Sequence, residues 1–309
     1  MYNKLILKQI IGFTQDVNEN IVIKALEKSF MNAFSTFPYI FEDLNSKESI
    51  EQYNSGNCIS LSLYIKNYLK QVYNLESFLI PASIPNKYKH RGYLDISHVA
   101  IAIPKSKYEF YIADSAFYFL NPILINTNQL NKTQIVYSKN IYMYEPNYNL
   151  KDYSSIEKII SSTSIYNESV KLNKYQIIPK NTYYSECYYN DDEFDKWKYY
   201  LIEICNPDEA ISTFFINLKK DPFITTCFKD NNGVCKQKYF ISLREDSIKI
   251  EKYANKSEII NFNNLDEIKL DKIKYLEKKL FKYFKGNLMK YIFMMKNGYN
   301  KKIYSVKMS

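Results

Sequence analysis

The apolar pattern changes its period near residue 75, and this change limits the possible folds more than any other feature. Upstream, residues 18–37 and 57–75 place apolar side chains every three or four positions, as amphipathic helices do. Downstream, FLIPAS (78–83), HVAIAIP (98–104) and EFYIAD (109–114) are short, rich in β-branched and aromatic residues, and separated by turn signals. The pattern therefore predicts an α+β protein whose core changes from helix packing to sheet packing.

Three helices are predicted from the spacing of apolar residues. The first covers 18–37 and is ended by Pro38, since proline removes a backbone donor. The second begins near Asn57, and its expected buried stripe is Ile59, Leu63, Leu69, Val72 and Tyr73. The last covers 266–285, where apolar residues again recur every three or four positions.

The rest of the chain is predicted to be mostly strand. Between about 126 and 180, polar segments alternate with short strands, which is typical of a barrel or meander. From Trp197 onward, WKYYLIEIC, ITTCF and KYFISLRE indicate antiparallel strands, and KDNNGV (229–234) indicates a hairpin turn. We therefore expect an N-terminal helical region (1–75), a central antiparallel β-barrel (76–196) and a C-terminal mixed α/β lid (197–309).

Composition argues against several classes of protein and site. Six glycines and two histidines provide neither a glycine-rich phosphate loop nor a zinc site, so no metal is expected. The net charge of +9 is spread along the chain among acidic residues, so no nucleic-acid partner is expected. Apolar runs are too short to cross a membrane, the first residues do not resemble a secretory signal, and five cysteines show no paired spacing. These features favour a cytoplasmic protein with reduced thiols and no membrane partner.

Cys58 follows Gly56 and Asn57 in the segment SGNCISLSLYIKNYLK (55–70), at the predicted start of the second helix. The unsatisfied backbone N–H groups and the positive end of a helix dipole both favour a thiolate at such a position. A cysteine on a helix is more often a core residue, so position alone does not make Cys58 a nucleophile. For Cys58 to act as a nucleophile, a nearby base must accept the thiol proton.

A predicted hairpin brings a histidine and a carboxylate together. If the loop between HVAIAIP and EFYIAD is centred on Ser106, His98 lies directly opposite Asp114 on the same face of the sheet. Ala100 and Ala102 share that face and leave room beside the imidazole, whereas alternate residues point into a core. The sequence therefore predicts a catalytic triad of Cys58, His98 and Asp114, in which His98 takes the thiol proton and Asp114 orients the imidazole.

Asp95 and His90 are expected to lie outside this site. Asp95 is the rival partner of His98. It precedes His98 by three residues on the same extended segment, so its side chain should point to the opposite face. His90, within the cationic stretch NKYKHRG, is expected to be an exposed loop residue. Each member of the triad also has an ordinary structural explanation, so the hypothesis depends on the three occurring together.

The segments around these residues resemble the arylamine N-acetyltransferases, which belong to the transglutaminase-like and papain-like cysteine superfamily. PYIFEDL (38–44) is similar to that family's Pro-Phe-Glu-Asn-Leu motif, and NSGNC (54–58) is similar in part to its Arg-Gly-Gly-x-Cys motif. HVAIAIP and DSAF (114–117) resemble the segments that carry the family's histidine and aspartate. The resemblance covers 38–122 and extends loosely over 197–245. It implies an acetyl-coenzyme A cosubstrate, a small amine acceptor, and Phe117 as a coenzyme contact.

The chain departs from the family's motifs beside the cysteine. Asn54 stands in place of the family's arginine, Ser55 in place of its first glycine, and Ser60 in place of the glutamate two residues after the cysteine. The arginine and glutamate are lost together, as the partners of a lost ion pair would be. Ser115 and Ala116 replace glycines after the aspartate, which changes how closely a coenzyme can approach the backbone.

Three functions are consistent with these residues. The first is a cysteine acyltransferase that moves an acetyl group from acetyl-coenzyme A to an amine through an acyl-Cys58 intermediate. The second is an amide-directed cysteine enzyme, such as a transglutaminase, deamidase or protease, because it also passes through an acyl-cysteine. The third is a non-catalytic interaction module on the same fold, which the altered arginine and glutamate positions allow.

Overall fold

The chain, seen in a computed structural model, divides into two compact units. The structure describes residues 14–83, 98–116, 122–126, 133–135, 174–180, 184–190, 196–200, 221–229, 231, 235–253 and 257–297. The first unit combines Met1–Leu26 with Ile65–Asn206, and the second combines Glu27–Tyr64 with Pro207–Ser309. The three regions expected from the sequence stay a prediction, because they follow the type of secondary structure and not compactness.

The first unit contains an eight-stranded antiparallel sheet in the order β6-β5-β4-β3-β10-β9-β8-β7. Its strands are β3 (Phe78–Ser83), β4 (His98–Pro104), β5 (Glu109–Ala113), β6 (Ile123–Asn126), β7 (Thr133–Ile135), β8 (Lys174–Lys180), β9 (Tyr184–Asn190) and β10 (Lys196–Tyr200). The expected β-barrel is not formed by the described strands. The reason is that β10, β9, β8 and β7 extend the sheet beyond β3, so β6 and β7 end at opposite edges.

Strand β4 lies inside the first unit and is buried along its whole length. Its residues alternate between two faces, and both faces are covered, since Ala100 and Ile101 are equally inaccessible. The end of the strand is held by Gln15, whose Nε2 donates to the carbonyl oxygens of Glu76 and Pro104, each at 2.8 Å. Gln15 Oε1 accepts from the backbone N–H of Glu76, also at 2.8 Å. One side chain therefore fixes β4 to the segment that precedes β3.

The second unit is built on a six-stranded sheet in the order β14-β13-β12-β11-β1-β2. Its strands are β1 (Ala33–Ser35), β2 (Ser55–Gly56), β11 (Phe223–Lys229), β12 (Cys235–Leu243), β13 (Ser247–Lys252) and β14 (Glu258–Asn261). The β1 and β2 pair is parallel, and the other pairs are antiparallel. The antiparallel pairing of β11 with β12 confirms the hairpin predicted around KDNNGV.

Six helices occur among the described residues. They are α1 (Glu19–Ser29), α2 (Phe37–Glu42), α3 (Ser46–Tyr53), α4 (Cys58–Tyr73), α5 (Glu267–Leu280) and α6 (Leu288–Lys296). The core of the second unit is largely aromatic where α2 meets α6. The Phe37 ring packs edge-on against the rings of Phe41 and Tyr291, and the Phe41 ring stacks on Tyr291 with centroids 4.8 Å apart. Helix α2 is thereby anchored by buried aromatic contacts although it is only six residues long.

The start of α4 agrees with the predicted helix, whereas three other helix predictions need correction. The first predicted helix ends at Ser29, and Pro38 lies in the first turn of α2 instead of ending a helix. Proline fits there because the first turn has no acceptor for its missing N–H. Val72 is 54% exposed and does not belong to the buried stripe of α4. The last predicted helix stops at Leu280, and α6 follows as a separate helix capped by the Asn287 side chain.

Candidate active site

His98 and Asp114 form a buried pair in the first unit. His98 begins β4, and Asp114 follows the last residue of β5. His98 Nε2 lies 2.6 Å from Asp114 Oδ2, and each residue is only 2% exposed. A carboxylate this close accepts the Nε2 proton, fixes the tautomer of the imidazole and stabilises its protonated form. The pair therefore has the chemistry of an oriented base.

The hairpin that carries this pair has a different register from the predicted one. Strand β4 pairs with β5 so that Ile101 faces Ala113 and Ile103 faces Tyr111, which centres the loop on Lys107 and not on Ser106. The loop is closed by Ser106, whose backbone N–H donates to the carbonyl oxygen of Glu109 at 3.0 Å. The expected direct opposition of His98 and Asp114 is therefore wrong. The two side chains meet diagonally, a distance that long side chains can span.

Cys58 is the first residue of α4 and is a buried free thiol, 8% exposed. Asn57 caps this helix: its Oδ1 accepts from the N–H groups of Ile59 and Ser60 at 3.1 and 3.2 Å. Its carbonyl oxygen accepts from Leu61 N–H at 3.1 Å. Within the part of the chain that the structure describes, the Cys58 N–H donates to no acceptor. Of the four N–H groups that open the helix, that of Cys58 is the one left available among the described residues.

A network of neutral side chains lies behind Cys58. Tyr39 Oη accepts from the Asn57 N–H at 2.9 Å and is 2.7 Å from Ser60 Oγ. Ser60 Oγ donates to the Ser46 carbonyl at 2.6 Å, and Ser46 Oγ donates to Asn57 Oδ1 at 3.0 Å. Burial raises the pKa of Tyr39, so its phenol stays protonated well into alkaline conditions. The network therefore carries no charge.

Gly56 is the residue that lets this network close. Its φ of 156° lies in the region that side chains other than glycine rarely adopt. A Cβ at this position would lie 2.1 Å from Ser60 Oγ and 2.7 Å from Tyr39 Oη. The glycine in NSGNC is thus required by close packing as well as by its backbone angle.

The residues that replace the resembled family's arginine and glutamate have structural roles in this chain. Asn54 has a φ of 53° and ends α3 in the left-handed conformation, with its N–H donating to the Ile50 carbonyl at 3.2 Å. Asparagine is one of the few residues that adopt this conformation at little cost. Ser60 belongs to the neutral network. Hydrogen bonds among uncharged groups therefore occupy the place where the motif predicts an ion pair.

The structure brings two of the three predicted triad residues together. His98 and Asp114 are hydrogen-bonded within the first unit, whereas Cys58 belongs to the second unit. An approach of Cys58 to His98 stays a prediction. Phe117, the expected coenzyme contact, lies outside the described residues, as do His90 and Asp95.

Sequence reasoning missed the side chains behind the cysteine. Asn57 was detectable, because asparagine directly before a helix is a common N-cap. No local signal identifies Tyr39, which precedes Asn57 by 18 residues and meets it only through the tertiary fold.

The chain is similar to solved structures of arylamine N-acetyltransferases. An arylamine N-acetyltransferase from Bacillus cereus, described as having a Cys-His-Glu catalytic triad, is 15% identical, with 91% of this chain and 97% of that chain covered and a TM-score of 0.49. Arylamine N-acetyltransferase C from Bacillus anthracis is 13% identical, with 90% and 98% covered and a TM-score of 0.47. The enzyme from Nocardia farcinica is 8% identical, with 94% and 92% covered and a TM-score of 0.47.

These structures represent the family that the sequence motifs resemble, so the predicted resemblance is confirmed as a similarity. No protein-family model and no curated protein sequence matches the chain. With identities of 15% or less and TM-scores below 0.5, the similarity determines neither the activity nor the residues of the site.

Two kinds of feature are missing from the part of the chain that the structure describes. No helix there is long and apolar enough to cross a membrane. No group of three or more His, Cys, Asp and Glu side chains is arranged to hold a metal ion. Neither absence decides the activity.

Proposed function

We propose that the chain is a cysteine acyltransferase that moves an acetyl group from acetyl-coenzyme A to a small amine through acyl-Cys58. The observation that carries the proposal is the buried hydrogen bond of 2.6 Å between His98 Nε2 and Asp114 Oδ2. Because Nε2 is used by the carboxylate, Nδ1 is the ring nitrogen that serves as base. Cys58 supports the proposal independently, since it is a buried free thiol on the first residue of α4, where backbone N–H groups have no partner within the helix.

The first half-reaction transfers the acetyl group to sulfur. His98 Nδ1 takes the Cys58 proton, and the thiolate attacks the thioester carbonyl. The carbonyl oxygen becomes an oxyanion, for which the Cys58 N–H is the proposed donor; one such donor typically contributes about 3–4 kcal/mol of transition-state stabilisation. The bond to the coenzyme sulfur then breaks, and the imidazolium returns its proton to the leaving thiolate. Asp114 stabilises the imidazolium throughout this half-reaction.

The second half-reaction transfers the acetyl group to nitrogen. The amine attacks the acyl-Cys58 carbonyl, and His98 takes a proton from the attacking nitrogen. The bond between carbon and the Cys58 sulfur breaks, and that proton passes to the sulfur, which regenerates the thiol. Phe117 is proposed as a contact for the coenzyme, as the motif resemblance implies.

The test is intact-mass measurement after mixing the protein with acetyl-coenzyme A. We expect one added acetyl group on the wild-type protein and none on Cys58→Ala. Cys227→Ala is the matched control, because Cys227 is a buried cysteine in the second unit but lies on strand β11. It should be acetylated as the wild type is. An added amine should then remove the acetyl group, since the covalent intermediate separates the two half-reactions.

Three results would overturn the proposal in different ways. Acetylation that persists in Cys58→Ala would remove the cysteine from the mechanism. Absence of acetylation at saturating donor, together with labelling of Cys58 by a glutamine-mimicking electrophile, would instead favour amide chemistry with the same residues. Failure of both reactions in a folded protein would support the interaction module.

A further inference from the structure

The residue that precedes the proposed nucleophile is held on both sides. The Asn57 N–H, which belongs to the peptide joining it to Gly56, donates to Tyr39 Oη at 2.9 Å. The Asn57 carbonyl, which belongs to the peptide joining it to Cys58, accepts from Leu61 N–H at 3.1 Å. Because a trans peptide is planar, fixing this carbonyl also fixes the direction of the Cys58 N–H, which points away from the body of the helix.

The distances in the network favour one arrangement of its hydroxyl protons. Ser60 gives its proton to the Ser46 carbonyl, and Ser46 gives its proton to Asn57 Oδ1. The Tyr39 proton therefore goes to Ser60 Oγ, 2.7 Å away, in preference to Ser46 Oγ at 3.3 Å. A lone pair of Tyr39 Oη remains to accept from Asn57. Tyr39 thus links the turn before Cys58 to the first turn of α4 by donating on one side and accepting on the other.

We infer that Tyr39 is a positioning residue for the reaction of Cys58: its hydroxyl fixes the Gly56–Asn57 peptide and so holds the nucleophile and its available N–H in one orientation. This inference rests on the proposed function for its catalytic meaning. The positioning of the Gly56–Asn57 peptide by Tyr39 does not depend on that function, because the hydrogen bond from Asn57 is formed whether or not an acyl group is transferred. Tyr39 touches neither reacting atom in the proposed mechanism, so it acts through Asn57.

A role in stability alone makes a different prediction for the neighbouring residues. Ser46→Ala removes the buried hydrogen bond to Asn57 Oδ1 and the longer contact with Tyr39 Oη at 3.3 Å. It leaves the hydrogen bond from the Asn57 N–H to Tyr39 Oη, and two N–H groups still hold Asn57 Oδ1. Tyr291→Phe makes the same substitution as Tyr39→Phe at a buried tyrosine of the second unit whose hydroxyl makes no hydrogen bond of normal geometry with the described residues. These two variants serve as controls that distinguish a general loss of stability from a loss of the orientation that Tyr39 gives to the Gly56–Asn57 peptide.

The experiment measures two properties of each full-length variant in the absence of any acyl donor. One is the hydrogen-exchange rate of the Asn57 amide, and the other is the pH profile of Cys58 alkylation by iodoacetamide. In Tyr39→Phe we expect Asn57 exchange to be faster by about tenfold, the factor that corresponds to losing one buried hydrogen bond. We also expect the rate of Cys58 alkylation in Tyr39→Phe to differ from that of the wild type by more than about twofold over part of the pH range. Ser46→Ala and Tyr291→Phe should leave both properties within about twofold of the wild type.

Acetyl transfer is then measured separately, so that the two proposals can fail independently. If the wild type is acetylated, Tyr39→Phe should lower kcat by about tenfold or more with little change in KM, because orientation matters most in the transition state. If the wild type is not acetylated, the proposed function fails, while exchange and alkylation still decide the positioning role. Equal effects of Tyr39→Phe and Ser46→Ala on Cys58 alkylation, or no effect of Tyr39→Phe, would overturn the inference.

Discussion

Replacing Gly56 with alanine should destabilise the second unit more than an ordinary glycine substitution. A φ of 156° forced on alanine costs about 1–3 kcal/mol. The new Cβ would lie 2.1 Å from Ser60 Oγ, so this oxygen must move and lose its hydrogen bonds to Tyr39 and the Ser46 carbonyl. Each of those bonds contributes about 0.5–1.5 kcal/mol. Together the losses are about 2–6 kcal/mol, a large part of the stability of a typical domain.

The assay follows the second unit by the labelling rate of Cys227 across a urea gradient, since this cysteine is buried in β11 of that unit. Gly56→Ala should move the midpoint strongly to lower urea. The double variant Gly56→Ala with Ser60→Gly should recover part of the loss, because Ser60 Oγ and Cβ are the two atoms nearest the new methyl group. A loss below about 1 kcal/mol, or strictly additive effects of the two substitutions, would refute the steric argument.

Two further outcomes follow from the buried acid and the buried phenols. Asp114→Asn should leave the fold intact while lowering the rate of acyl transfer by up to about 10⁴-fold, because a neutral amide no longer stabilises imidazolium; steady-state kinetics beside circular dichroism checks this, and an unchanged rate would contradict it. Burial raises the pKa of both Tyr39 and Tyr291, so above about pH 10 the unfolded chain loses protons that the folded chain keeps, and stability should fall as pH rises. Urea midpoints from pH 8 to 11 measure the fall, which should be smaller in Tyr291→Phe and would be equal in the two proteins if this phenol kept its ordinary pKa.

The parts of the fold that sequence predicted well are those set by local periodicity. The start of α4, the strands β3 to β5 and the β11–β12 hairpin each follow from a repeating apolar pattern with turn residues beside it. Pro38 was misjudged because proline both ends helices and begins them, and only the fold decides which. The order of the described strands could not be predicted, because periodicity reports which face of a strand is buried but not which strand lies next to it.

The candidate site also combines local features, which the sequence can predict, with a tertiary contact, which it cannot. The meeting of His98 with Asp114 follows from a single hairpin, and it survives the error in register because diagonal neighbours share a face. Asn57 as a helix cap is also a local property. The Tyr39 contact joins two segments across the second unit, so it is accessible only from tertiary structure.

The short strand β14 has a consequence for how the protein behaves in concentrated solution. It ends the six-stranded sheet, and its outer backbone groups are the kind that recruit strands from other molecules. Ile259 on this strand is 52% exposed, but Glu258 beside it pairs with Lys272, and the strand gives way after Asn261 to a 3₁₀ turn that buries Phe262. An incoming strand would meet only four residues and a charged side chain at their start. Pairing of β14 with an edge strand of another copy is therefore disfavoured at both ends of β14.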